Sequence, residues 1–189
     1  MKPAVLCITR SAIDSLKTAE DIKEEDLHFI NRSIVDAEDT TVGEMFPQII
    51  PVITIKCGDK YLTYSRNGNE TRLHGSRSLS VGGHIDIEDY VDSYTLRNTI
   101  AYSAKRELEE EAGFRAWFEL EDFNSIIYTP TNNVSKVHVG LFTTISLKDE
   151  SVVSPEEELY DVQFLTKDQL VKDIEQYEDW SQHIINNLI

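Results

Sequence analysis

The stretch from Leu96 to Gly113 constrains this chain most, because it places apolar residues and carboxylates on one face of one helix. Leu96, Ile100, Ala104 and Leu108 recur every four positions, the spacing of a helix that turns a single stripe inward. Gly113 stands just past them, where a left-handed C-terminal cap closes such a helix. With Leu96 at zero and about 100° per residue, the apolar stripe spans roughly 0° to 120°, and Glu107 and Glu111 fall at roughly 20° and 60° inside it. Glu110 neighbours Glu107 at i+3, so three like charges crowd together. Glu109 points to the opposite side and can stay in water.

Carboxylates on an inward face are unfavourable unless positive charge meets them or their pKa values rise. A divalent cation supplies that charge. Oxygen-only ligands favour a hard ion: Mg²⁺ takes a few carboxylates plus water and phosphate oxygens, and Mn²⁺ can replace it. The run is also what a solvated face with pairs such as Arg106 to Glu110 would give. Against that, acids near a helix C-terminus oppose the helix dipole. Gly82-Gly83 precede the helix. Adjacent glycines let backbone approach a metal or phosphate closely, although a pair leaving a strand is equally what a plain turn requires.

The net charge of −16, from 34 acidic and 18 basic residues, works against a grip on a nucleic-acid backbone and excludes such polymers as natural partners. The 189 residues suit a single domain with its own core. Cys7 and Cys57 are too few for a disulfide framework and lack the paired spacing of a zinc site, which suits packing residues in a reducing cytoplasm. No apolar run reaches the ~18 residues a membrane span needs, and no signal or transit peptide is indicated.

Ala4 to Ile8 reads as a strand, and the polar stretch Ser11 to Glu25 could hold a short helix; residues 1–45 form an N-terminal extension without readable chemistry. Ile49 to Lys56, a Cys-Gly-Asp-Lys turn and Tyr61 to Arg66 read as a hairpin. Ser78 to Val81, Ala116 to Leu120, Ile126 to Tyr128, Val137 to Ile145 and Val162 to Leu165 read as further strands. One or two helices follow from Asp168. The tally is a mixed α/β domain over residues 1–189.

Arg106-Glu107-Leu108-Glu109-Glu110-Glu111-Ala112-Gly113-Phe114 resembles the second half of the Nudix hydrolase signature, G-x5-E-x7-R-E-U-x-E-E-x-G-U with U a bulky apolar residue, at every specified position. Gly82-Gly83-His84-Ile85-Asp86 looks like its opening, and Asp89 stands six residues after Gly83, where the family usually has Glu. Seventeen positions separate Asp89 from Arg106, nine more than the pattern has, so residues 82–114 form a box with an insertion around Tyr90 to Asn98. That insertion lengthens either the loop or the first turns of the helix. The wider chain looks similar to the predicted-phosphoesterase branch of the family.

The resemblance implies a Nudix-type α/β/α sandwich with a mixed β-sheet and hydrolysis of a diphosphate linkage in a small nucleoside diphosphate derivative, with Mg²⁺ or Mn²⁺ as cofactor. It implies Glu107, Glu110, Glu111 and a backbone carbonyl at Gly83 or Gly82 as metal ligands, and Arg106 as the residue that holds the glutamates. A carboxylate base takes the proton of the attacking water. Glu158, then Glu157, occupies a loop position like that of the late glutamate of some members, though an exposed acidic loop explains them as well. His84, Arg72 and Arg77 are candidate contacts for substrate phosphates, each equally readable as structural; His138 and Trp180 read as packing residues. The family also makes a homodimer plausible. Two other classes compete: a catalytically silent nucleotide-binding sensor or regulatory module, which would bind without turnover, and a diphosphate isomerase, which would need further acid-base groups in the pocket.

Overall fold

The computed structural model describes residues 3–36, 41–66, 76–91, 95–153 and 159–189. They fall into two compact units, the first being Met1–Val52, Gly82–Arg106 and Trp117–Thr143, the second Ile53–Val81, Glu107–Ala116 and Thr144–Ile189.

The first unit begins with β1 (Ala4–Ile8), α1 (Arg10–Ile13), β2 (Leu27–Asn31), α2 (Arg32–Val35) and α3 (Thr41–Met45), followed by the start of β3 (Gln48–Cys57). Val5, Leu6, Cys7 and Ile8 are all fully buried, the continuous apolar run of a strand covered on both faces. β1 pairs antiparallel with β2 from Ala4↔Asn31 to Ile8↔Leu27, and Cys7 lies opposite Gln48 of β3. Burial, with Asp36 adding to it, pushes the Cys7 thiol up to about 12, so Cys7 is the inert packing residue its sequence setting predicts. The Leu6 amide donates to the Ile85 carbonyl at 2.8 Å, which binds the segment after the glycine pair to β1.

The second unit carries the hairpin of β3 and β4 (Lys60–Arg66), then β5 (Arg77–Ser78) and β6 (Ser80–Val81). Gly58 turns it with φ 61°, and Lys56↔Tyr61 and Cys57↔Lys60 set the register. This is the hairpin the sequence predicts. Of the long helix α4 (Leu96–Ala112), Leu96–Arg106 belong to the first unit and Glu107–Ala112 to the second. β7 (Ser125–Ile127) and the first part of β8 (His138–Leu147) belong to the first unit, while the second unit continues with the end of β8, β9 (Leu159–Thr166), α5 (Lys167–Lys172) and α6 (Asp179–Asn187). β7 is antiparallel to β8. β9 runs antiparallel along β4 from Lys60↔Thr166 to Arg66↔Leu159, with an irregularity between Thr63 and Ser65. Ser181 of α6 accepts from the Leu79 amide at 2.9 Å, which ties the last helix to the strands before the glycine pair. The pairings with a described register are antiparallel and a parallel bridge joins Arg77 to Tyr177, so the class is the expected α/β with a mixed sheet.

The short helix expected within Ser11–Glu25 is present at its start as the end of α1; the rest forms short 3-10 turns at Ala19–Asp21 and Glu24–Asp26, and β2 follows. Thr18 and Asp21 cap the first turn reciprocally, the competition that keeps such side chains out of longer helices. Residues 116–120 form no strand. A 3-10 turn at Leu120–Asp122 stands at their end, with Glu119 and Asp122 capping it in the same way.

Gly82 has φ 154°, and a Cβ there would stand 1.8 Å from the Pro51 carbonyl oxygen. Neither the dihedral nor the space admits a side chain. Gly82→Ala is expected to destabilise the protein by at least ~2 kcal/mol, read as a lower urea midpoint with an unchanged slope.

Candidate functional site

Helix α4 starts where Thr95 accepts from the Asn98 amide at 3.2 Å and the Glu24 carboxylate accepts from the Leu96 amide at 2.6 Å. A carboxylate at this end satisfies orphan amides and complements the dipole. The N-terminal extension therefore caps the helix of the box. Of the inserted stretch around Tyr90 to Asn98, Leu96–Asn98 are helical and the described residues before them are not, while 92–94 lie outside the described residues. At the other end the Gly113 amide donates to the Glu109 carbonyl at 3.1 Å and Gly113 has φ 74°, the predicted left-handed cap.

Within α4, Ile100, Ala104 and Leu108 are fully buried, and Glu107 and Glu111 are buried beside them, at 9% and 8% exposure. The carboxylates thus share the apolar face as the helical phase predicts. Glu110 is exposed. Glu109 is half-buried and pairs with Arg115 at 2.6 Å.

In the first unit, Arg106 donates from Nε to Asp89 Oδ1 at 2.6 Å and from Nη2 to Asp89 Oδ2 at 2.8 Å, a two-pronged pair. Asp89 is buried, at 3% exposure. Nη2 also donates to the His84 carbonyl at 3.0 Å, so one guanidinium ties α4 to the turn after Gly83. Asp89 itself closes a 3-10 turn, accepting from the Asp86 amide at 3.0 Å. Asp86 is pushed above the usual carboxylate range by burial, with the Asp89 and Glu88 charges adding to that and Arg106 opposing it. The His84 and His138 rings meet edge to face with centroids 5.6 Å apart, and His138 Nδ1 lies 2.8 Å from the Val134 carbonyl, which can only accept, so Nδ1 is the donor.

In the second unit, the Tyr64 hydroxyl donates to the Ser80 carbonyl at 2.5 Å and lies 3.5 Å from Glu111 Oε2. Arg77 is engaged there by Asp161, by Thr63 Oγ1 at 2.5 Å and by the Asp161 carbonyl at 3.0 Å. Those bonds tie β5 to β9 and give the guanidinium structural work. Asp161 has φ 52° and is held below the usual carboxylate range by Gln163 and Arg77. Arg72, Glu157 and Glu158 lie outside the described residues. Among the described residues no three His, Cys, Asp or Glu groups converge to hold an ion by themselves.

Sequence reasoning missed Tyr64 and Glu24. Tyr64 sits in the ordinary alternation of a strand, and Glu24 in an acidic stretch, so neither carries a local signal. Asp89 had one, its place six residues after Gly83, although the interrupted spacing hid its partner.

No family model matches the chain. It is 31% identical over 153 residues to protein YmaB of Bacillus subtilis, an alignment covering 76% of this chain and 71% of that protein. Among solved structures, Tm1382, provisionally a Nudix hydrolase, aligns with a TM-score of 0.75 and 21% identity over 98% of this chain and all of that one. DR0079 of Deinococcus radiodurans gives 0.55 and 12% over 87% and 94%. A bifunctional NMN adenylyltransferase/ADP ribose pyrophosphatase of Francisella tularensis gives 0.52 and 16% over 75% of this chain and 41% of its own. The fold is that of the Nudix hydrolases.

Two outcomes follow from the charges around Arg106. Asp89→Asn strips the guanidinium of its charged partner and is expected to cost roughly 2–3 kcal/mol, measured by denaturant unfolding at pH 7. Asp86→Asn acts oppositely. Because folding raises the Asp86 pKa, its ionised form opposes folding above that value and the penalty fades as pH falls through it. The variant should therefore melt higher than the wild type at pH 7, the gain disappearing toward pH 4.

Proposed function

Because the chain belongs to the family of Bacillus subtilis protein YmaB and has the Nudix hydrolase fold, we propose that it is a divalent-metal-dependent pyrophosphohydrolase. Its substrate is a small nucleoside diphosphate derivative, and water attacks phosphorus at the diphosphate linkage. The observation that carries this reading is the burial of Glu107 and Glu111 on the apolar face of α4, inside a complete Arg-Glu-x-x-Glu-Glu half-box.

The donor chemistry suits a hard cation, with water and substrate oxygens completing a shell that the three glutamates do not form by themselves. Every candidate ligand is an oxygen, and two buried glutamates with a third at their edge leave most of the ligand shell to water and substrate phosphate, as Mg²⁺ prefers. Glu107, Glu110 and Glu111 would hold Mg²⁺ or Mn²⁺, with the Gly83 carbonyl as a further ligand. When bound, the ion neutralises charge on the diphosphate and makes water a better nucleophile. The bifunctional Francisella neighbour, 41% of whose chain aligns with this one, was crystallised with AMP and a manganese ion.

The chain's own groups supply the rest. Arg106, fixed by Asp89, holds the His84 carbonyl and so the backbone that follows Gly83. His84 and Arg72 are the proposed contacts to phosphate oxygens. Arg77 was a third, and its bonds to Asp161 and Thr63 support an anchoring role instead. Glu158 is the proposed base that takes the proton of the attacking water.

The experiment is hydrolysis of a panel of nucleoside diphosphate derivatives in ¹⁸O-labelled water, with Mg²⁺, with Mn²⁺ and with EDTA. Label is expected in a phosphate product only with metal, and Glu110→Gln and Glu111→Gln should each lose about 10²–10³ in kcat. Binding of the anionic substrate should also fail in EDTA, since the protein carries a charge of −16. Turnover that survives EDTA, or equal and negligible turnover of all three proteins, would sink the reading.

A further inference from the structure

Among the described residues, β2 (Leu27–Asn31) pairs with β1 alone and so ends its sheet. The Thr9 amide donates to the Asp26 carbonyl at 2.9 Å and the Arg32 amide to the Pro3 carbonyl at 3.0 Å, while the Leu6 amide, opposite Phe29, turns away to Ile85. Positions 26, 28, 30 and 32 therefore bond toward β1, and the amide and carbonyl of Phe29 point along the outer edge. Such an edge is a template for another strand, which proteins commonly blunt with Lys, Pro or a bulge. Leu-His-Phe-Ile-Asn holds no Lys, no Pro and no carboxylate, and its register along β1 has no shift.

We propose that this edge docks a second copy of the chain, antiparallel about a two-fold axis at Phe29 and fixed by two Asp26–Arg32 ion pairs. The proposal is independent of the metal reading. Opposite charges flank the strand, Asp26 before it and Arg32 after it. Outward-facing residues pair only with outward-facing residues, so registers change in steps of two, and the one centred on Phe29 sets Asp26 of each copy opposite Arg32 of the other. The same register joins the two Phe29 backbones by a pair of hydrogen bonds. It also brings together the faces where Tyr90 meets the Phe29 ring edge-on at 6.2 Å and is 37% exposed, with Val91 exposed next to it. Arg32 gives its Nε to Asp36, and a guanidinium has five N–H donors to share. Two copies at −16 each repel, which makes a strand without carboxylates, with a cation at one end, the favourable place for them to meet.

The test is sedimentation equilibrium of the full chain from about 1 µM to about 1 mM, for wild type, Asp26→Lys, Arg32→Glu and an equimolar mixture of the two variants. Wild type is expected to dimerise. Each variant alone sets like charges against each other at both junctions, so its self-association should weaken at least about tenfold. In the mixture both junctions join opposite charges again, and a heterodimer should form with about the wild-type affinity. A wild type that stays monomeric, variants that dimerise as wild type does, or a mixture that stays as weak as its components each overturn the proposal. Should Arg32→Glu, which also gives up Asp36, not fold, hydrogen exchange of the wild type decides: protection of the Phe29 amide must rise with protein concentration, and protection that stays constant refutes the edge.

Discussion

The Asp89 carboxylate lies almost wholly out of water, held by two hydrogen bonds from the Arg106 guanidinium. A buried ion pair is stable only when its geometry is good and its remaining donors are used. Here both conditions are met, because the Nη2 group that reaches Asp89 also reaches the His84 carbonyl. That carbonyl belongs to the residue after Gly83, and Arg106 immediately precedes Glu107. The pair thus holds the backbone after the glycines to Arg106 within the first unit, despite nine extra residues in the chain between them. An insertion there is tolerable because loop-closure entropy grows slowly with length and α4 is capped afresh by Thr95 and Glu24.

The acidity of the chain divides into parts with different physical roles. Some carboxylates cap: Glu24 at the start of α4, Asp21 and Asp122 within their 3-10 turns. Others pair with arginine, Asp89 with Arg106 and Asp161 with Arg77. Glu107 and Glu111 lie on the buried helix face that carries Ile100, Ala104 and Leu108. In the proposed function these are the carboxylates that would hold the cation, and the net charge of −16 is the reason that proposal sets a cation between the protein and an anionic substrate.

Much of this was legible in advance, and for local reasons. The phase of Glu107 and Glu111 relative to Leu108 follows from helical geometry alone. The left-handed cap at Gly113 and the turn at Gly58 follow from glycine's dihedral freedom. Failures were local too. Residues 116–120 have strand-like composition, yet Glu119 and Asp122 bond their own backbone into a turn. β2, Leu27–Asn31, was not anticipated, since it is a strand by virtue of pairing with β1, and pairing is not written in five residues.

The sequence by itself determined that α4 forms, where it ends and which acids share its apolar face, because these depend on neighbours three and four residues away. It also determined the resemblance of residues 106–114 to a known half-box. Only the tertiary structure decided what those residues touch: that Arg106 grips Asp89 and the His84 carbonyl, that Arg77 is anchored by Asp161, that Glu24 caps the helix from the N-terminal extension, and that Tyr64 stands beside Glu111. The partners in these contacts are 17 to 84 positions apart in sequence. Contacts at such range are selected by the packing of the whole chain, and no local periodicity encodes them.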